Sequence, residues 1–327
     1  MFRPSRLLLL VLVSAALGGA CNAPAEFDMG PWSALEAAPA PEGFDGVTVT
    51  FLGVSTLVVR DGETTLLIDG FFTRPDLGGL GVFGKVAPDP VRVAEGLALG
   101  GVTQATAITT VHSHFDHAMD TPLVAEQTGA MVVASPSTAN IARGMGLPEA
   151  RIREVAVGDS ATFGAFTMRW IGSKHYPLPE PIGNLLAGPV EAPFAPPARV
   201  TAWKQGRADT IVIRHPRGTL VVQGSAGFVP GQLDGVDADV VFLGIGGLGG
   251  QPAEYQAAYW DTIVGATHPA RVYAVHWDDF NRPLSVPLRP TGDGTDFVAA
   301  MTALQTRAAG SGTRVGLLPL AVPVALY

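Results

Sequence analysis

Cysteine is almost absent: Cys21 is the only one in 327 residues. No disulfide can close within one chain, and no thiolate can serve as a metal ligand in the domain beyond it. Positive charge is also scarce. Lys and Arg number 21 against 29 Asp and Glu, for a net charge of −8, and no basic run exceeds two residues. A phosphate-neutralising surface for nucleic acid is therefore not expected. Residues 7–17 are apolar but fall short of the roughly 20 residues that span a bilayer as a helix. No repeat of 20–50 residues recurs, which argues against a solenoid or propeller.

What is present begins with a targeting pattern. Arg3 and Arg6 precede the apolar stretch, and Gly18, Gly19 and Ala20 lead into Cys21. This resembles a bacterial lipoprotein signal, although Leu17 stands four residues before the cysteine where the usual pattern has three. The resemblance implies removal of residues 1–20 and lipidation of Cys21. It places the protein on a membrane of the bacterial cell envelope, facing the periplasm or the exterior. Residues 21–46 are rich in Ala, Pro and Glu and lack periodicity, so they are expected to form a flexible tether. The chain is 47% hydrophobic and 15% charged, and residues 47–327 suffice for one sizeable domain.

Chemistry is concentrated at residues 112–117, His-Ser-His-Phe-Asp-His, which hold three of the seven histidines. Imidazole and carboxylate are ligands that Zn²⁺ and similar divalent ions prefer. His112 and His114, two apart at a strand end, can point the same way. Asp116 and His117 follow as the chain turns and can face a second position, so one segment can begin two metal sites. The β-branched run 107–111 predicts a buried strand before it. Asp120-Thr121-Pro122 predicts a helix start after it, ending at Gly129. A loop between a strand end and a helix is where α/β folds place function.

Strands are expected at residues 47–52, 57–60 and 64–68, the last two joined by a turn at Asp61-Gly62-Glu63. Further strands are expected at 131–134, within 161–171, and at 210–214, 219–223, 240–244 and 271–276. Helices are expected at 90–99, 137–144, 253–264 and 296–307. Residues 176–200 are Pro-rich and apolar and read as an inserted lid. His175 and His276 each end a β-rich run. His215 and His268, beside a turn and before Pro269, read as surface or capping residues.

The segment 112–117 resembles the signature of the metallo-β-lactamase fold superfamily. Residues 51–56 and 65–70 look like its paired opening strands, and the likeness, with weaker parts, extends over 47–327. It is nearest to the branch of the ascorbate-phosphate lactonases and the phospholipase-D-like N-acylethanolamine enzymes. The resemblance implies an α/β fold, an αβ/βα four-layer sandwich. It implies His112, His114 and His175 on one metal, and Asp116, His117 and His276 on a second, with Asp69 supporting the metal loop. Zn²⁺ is the expected ion, one or two per chain, with Mn²⁺ or Fe²⁺ as alternatives.

One position departs from the pattern. The family supplies a bridging carboxylate from a Gly-Asp pair, and here Gly224 is followed by Ser225. A hydroxyl adds no negative charge, so a second metal would be held more weakly, a single metal would bind, or the site would be catalytically degraded. Asp278 and Asp279, just after His276, are candidates to compensate. The implied chemistry is hydrolysis by a metal-activated hydroxide, with Asp116 accepting a proton or orienting the nucleophile. The apolar loops at 71–83 and 176–194 favour a small-molecule or lipid-like ester, lactone or amide. A phosphodiesterase or phospholipase, and a non-catalytic metal-binding lipoprotein, are the alternatives.

Overall fold

Burial with a period of two along the early strands sets the architecture. Leu57, Val59, Leu66 and Ile68 belong to one apolar cluster, while their neighbours Val58 and Leu67 belong to another. Successive side chains of a strand point to opposite faces, so each strand is covered on both sides. The computed structural model describes residues 27–327. The expected signal segment, Cys21 and the start of the tether lie outside those residues.

Two seven-stranded sheets result. The first runs, in spatial order, Val324–Ala325, Thr48–Phe51, Leu57–Arg60, Thr65–Ile68, Ala107–Thr109, Met131–Ala134 and Ile152–Glu154. Its first four strands pair antiparallel and the remainder parallel. The second runs Arg314–Leu317, Arg271–Val275, Val240–Gly244, Gly218–Gln223, Ala208–His215, Phe166–Ser173 and Ser160–Phe163. Here the first three pairings are parallel and the last three antiparallel. The inner faces share one core, including Val49, Phe51, Trp170, Ile211 and Phe242. Helices Pro90–Leu99, Thr121–Thr128 and Pro136–Gly144 cover the outer face of the first sheet, meeting it through Val93, Leu97, Val124 and Ala142. Helices Ala253–Trp260 and Thr295–Ala308 contribute Tyr259, Met301 and Leu304 beside the second sheet. This is the expected four-layer αβ/βα arrangement.

Local signals explain several boundaries. Asp61 Oδ1 accepts the N–H groups of Glu63 and Thr64 at 3.0 and 2.7 Å and closes the first hairpin. Asp89 caps Pro90–Leu99 by accepting from Val91 and Arg92. The helix read at 253–264 is α-helical to Trp260 and then widens into a π-turn over Asp261–Gly265.

Two expectations change. From Phe27 onward the supposed tether is packed. Ala37 and Ala40 donate N–H groups to Leu317 and Pro323 at 2.9 and 2.7 Å. The rings of Phe27 and Trp32 meet Phe297 at 5.9 and 4.9 Å. Scattered aromatics without periodicity supplied this contact, which pattern reading does not register. The lid at 176–200 is a built cap. It holds a short helix, Ile182–Leu186, and the strand Ala198–Arg199 pairs with Lys85–Val86. Leu186, Val190, Val200 and Trp203 bury against Phe71 and Phe115. Each buried apolar side chain of this size contributes roughly 1.5–3 kcal/mol, which holds the base of the cap against the rest of the domain.

Candidate metal centre

Six strand ends converge on one rim of the two sheets. Thr65–Ile68 ends before Asp69, Ala107–Thr109 before His112, and Phe166–Ser173 before His175. Gly218–Gln223 ends before Ser225, Val240–Gly244 before Gly246, and Arg271–Val275 before His276. The strand following Asp69 is parallel to its own, so the two ends must lie side by side.

Two groups of three potential metal ligands form there: His112, His114 and His175, and Asp116, His117 and His276. In the first, His112 Nε2 lies 3.1 Å from His114 Nδ1. In the second, His117 Nε2 lies 3.1 Å from His276 Nε2, and Asp116 Oδ2 lies 3.5 and 3.3 Å from them. Donors on a tetrahedral zinc at bond lengths of 2.0–2.1 Å stand about 3.3 Å apart, so the spacings fit a divalent ion. The rings of His112 and His117 are 3.9 Å apart at their centroids, which makes the groups adjacent.

The outward ring nitrogens fix which nitrogen faces the centre. His117 Nδ1 lies 2.9 Å from Asp69 Oδ2 and donates to it, leaving Nε2 with a lone pair. His175 Nδ1 donates to the Tyr176 carbonyl at 2.8 Å, again leaving Nε2 free. Asp69 is itself held by Ser55 Oγ at 2.5 Å and the Val111 N–H at 2.9 Å. Burial, reinforced by the charge of neighbouring histidines, pushes His112 well below the ordinary imidazole range. Burial takes His114 down to about 4 and His175 to about 3. All three are neutral Lewis bases at pH 7. For Asp116 burial pushes upward, but His117 and His276 outweigh it and hold the carboxylate well below its usual range. Burial works against protonated His117, and the charges of Asp116 and Asp69 outweigh it, so its pKa rises.

The backbone is forced at the same rim. Val54, Asp69 and His276 have φ of 51°, 63° and 55°, a left-handed region that costs of order 1–3 kcal/mol for a non-glycine residue. Hydrogen bonds hold these conformations in place. His276 donates its N–H to the Val54 carbonyl at 2.5 Å, and Val54 donates its own to Asp278 Oδ1 at 2.7 Å. Asp278 also pairs with Arg74 at 2.5 Å, both side chains fully buried. Gly53 is required here because a Cβ would collide with the Arg74 guanidinium. Gly227 is required for the same reason against the His175 backbone.

A cavity of about 560 Å³ opens on the centre. His114, Asp116, His175 and His276 line it with Ser225. Much of the remaining lining is apolar, from Leu178, Ile182 and Leu186 of the cap and from Phe115, Trp277 and Phe280, with Asn281, Thr291 and Asp296 as polar members. No Lys or Arg is among its lining residues.

A family model described as the metallo-beta-lactamase superfamily matches residues 49–265. The chain belongs to the metallo-beta-lactamase superfamily. A UPF0173 metal-dependent hydrolase of Agrobacterium fabrum is 31% identical over 127 residues, 39% of this chain and 47% of that protein. The chain spans between a third and a half of the length of the curated relatives it matches. A metallo hydrolase of the archaeon Ignicoccus hospitalis has the same fold at 15% identity, covering 85% of this chain and 97% of that one with a TM-score of 0.52. So does CmlA, a diiron beta-hydroxylase of Streptomyces venezuelae, at 14% identity, 88% and 54% coverage and a TM-score of 0.51.

Against the metallo-beta-lactamase pattern, the structure brings the six residues His112, His114, Asp116, His117, His175 and His276 together and sets Asp69 directly behind His117. Ser225 occupies the cavity wall as its place in sequence suggests, with its Oγ accepting the Tyr176 N–H at 3.1 Å. Asp278 does not compensate for the missing carboxylate, because it is committed to Arg74 and Val54. Asp279 turns to the Asn281 N–H. His215 lies at the far end of its strand, 3.5 Å from Asp61. His268 is exposed beside Asp237. Sequence reading missed Ser55, Val54 and Arg74. None carries a ligand signature, although Arg74 in a loop otherwise poor in charge was a usable clue.

Proposed function

We propose that this protein is a metal-dependent hydrolase that cleaves an uncharged, lipophilic ester, lactone or amide with a zinc-activated hydroxide. The observation that carries this reading is the adjacency of two three-ligand groups with the floor of an apolar cavity that has no basic lining residue. The curated relatives named metal-dependent hydrolases support the reaction class. A phosphodiester would bring an anion that this cavity has no Arg or Lys to pair, which sets that substrate class second. Both groups are complete without Ser225, and this supports an active centre over a degraded one.

When bound, the ion supplies hydroxide at neutral pH and polarises the scissile oxygen. His112, His114 and His175 would hold one ion, and Asp116, His117 and His276 would hold another. Asp69 keeps His117 in the tautomer that presents Nε2. Asp116, anionic and lining the cavity, orients the attacking water. The cap excludes bulk water from the acyl side and binds the apolar part of the substrate.

We further propose that the protein acts while anchored through lipidated Cys21 in the bacterial envelope, without a nucleic-acid partner. Among the described residues no helix is long and apolar enough to cross a membrane. Two measurements test the functional reading: elemental analysis of the purified protein, and rates on p-nitrophenyl esters, lactones, amides and bis-p-nitrophenyl phosphate. Protein that holds no Zn, Mn or Fe, or that turns over the phosphodiester alone, would overturn it.

A further inference from the structure

The residue that replaces the family's bridging carboxylate is clamped on every side but one. The Ser225 carbonyl accepts the Gln223 Nε2–H at 2.8 Å and lies 3.3 Å from the Tyr259 hydroxyl. Gln223 is almost wholly buried, and it also binds the Gly227 carbonyl at 2.8 Å. The loop from 224 to 227 is thereby fixed at both ends. Gly224 packs so closely under it that a Cβ there would strike Val111.

The Ser225 side chain is held as firmly. Its Oγ accepts the Tyr176 N–H at 3.1 Å. A hydroxyl has one hydrogen and two lone pairs. With a lone pair committed to Tyr176, and with no acceptor for its hydrogen among the described residues, the hydrogen is left for the open side. That side is the cavity, which Ser225 lines together with Asp116, His175 and His276. A carboxylate at this position would offer only acceptors. Serine places a neutral donor in the same cavity lining as Asp116, His175 and His276.

We propose that Ser225 is a substrate-contacting residue whose hydroxyl donates a hydrogen bond to the carbonyl oxygen of the scissile acyl group. The proposal rests on the hydrolase reading and deepens it, selecting substrates that present an acceptor oxygen at the end of an apolar chain. Fixing the donor in advance means that little rotamer freedom is lost when the oxygen arrives, and the bond strengthens as negative charge develops on it. No metal-ligand role is assigned to Ser225.

The test compares wild type with Ser225→Ala and Ser225→Thr, each as the purified metal-loaded protein. Metal content, thermal midpoint and calorimetric affinity for 2-octanone, a non-hydrolysable carbonyl probe, are measured, with 1-octene as the oxygen-free control. Ser225→Ala is expected to weaken ketone binding about 5–10-fold, the worth of one hydrogen bond, with 1-octene affinity and metal content unchanged. The acyl substrate's kcat/KM is expected to fall about 100-fold, mainly through kcat. Ser225→Thr, which keeps the hydroxyl, should recover most of both effects. Loss of metal in Ser225→Ala would make Ser225 a ligand and overturn the proposal. So would equal ketone affinity in the three proteins, or no ketone binding by wild type. If no substrate of any class is hydrolysed yet the ketone effect holds, the hydrolase reading fails while the donor role stands.

Discussion

His117 turns its Nδ1 toward Asp69 Oδ2 at 2.9 Å, and neither side chain reaches solvent. The Asp69 carboxylate can only accept, so it dictates where the imidazole proton sits. Asp69→Asn keeps the size, and with its one oxygen claimed by the Val111 N–H its amide N–H faces that nitrogen, which favours the proton on Nε2, where a metal should bind. We expect affinity at the Asp116–His117–His276 group to fall 10–100-fold, with the other group retained. Competitive chelator titration measures this, and two equivalents at unchanged affinity would contradict it.

The Arg74–Asp278 pair is fully buried and supports the backbone that presents His276. Removing one partner strands the other charge away from water. Arg74→Met is expected to cost about 3–5 kcal/mol in urea unfolding, and pairing it with Asp278→Asn should recover part of that loss. Additive losses in the double mutant would show that the pair is not coupled.

Asp120 supplies a pH dependence away from the ligands. Burial pushes its carboxyl up to about 6, although Thr73 and the Phe72 N–H bind the ionised form. The folded protein therefore holds this proton more tightly than the unfolded chain, whose value is near 3.8. The contribution to stability is full below pH 3.8 and disappears as pH rises through about 6. It amounts to on the order of 3 kcal/mol. In chelator-treated protein, wild type should lose stability relative to Asp120→Asn between pH 4 and 7. Parallel profiles would remove Asp120 as the cause.

The cavity wall predicts a chain-length series. Each methylene buried against Leu178, Ile182 or Phe280 contributes about 0.8 kcal/mol, so kcat/KM for linear acyl esters should rise about fourfold per carbon until the space is filled. Ile182→Glu should flatten the series and leave the shortest ester little changed. A flat series in wild type would mean that the apolar wall does not bind substrate.

Much of this centre was legible in the chain. His112, His114, Asp116 and His117 are contiguous, so their chemistry shows in composition and spacing alone. His175 and His276 are 63 and 164 residues from His112 (175 − 112 and 276 − 112), yet each ends a recognisable strand: parallel pairing sets the end of Arg271–Val275 beside that of Val240–Gly244, and two successive antiparallel pairings point Phe166–Ser173 the same way as Gly218–Gln223. What sequence could not show was the second circle of contacts. Ser55 reaches Asp69, and Val54 reaches His276 and Asp278, through left-handed backbone that no side-chain pattern encodes. Asp278 was the misleading case: beside a ligand in sequence, it is spent on Arg74, 204 residues away. The packed stretch from Phe27 escaped for a related reason, since a few aromatics that meet a distant helix leave no periodic trace.

That stretch bears on where the cavity can work. Phe27 rests on Phe297, which itself lines the cavity. Phe27 stands only six positions after Cys21 (27 − 21), and six residue steps reach at most about 20 Å. A lipid on Cys21 would therefore act as a short leash, holding the cavity wall within roughly that distance of the bilayer. Substrates that partition into the membrane surface would then be sampled at their interfacial concentration rather than at their far lower concentration in bulk water.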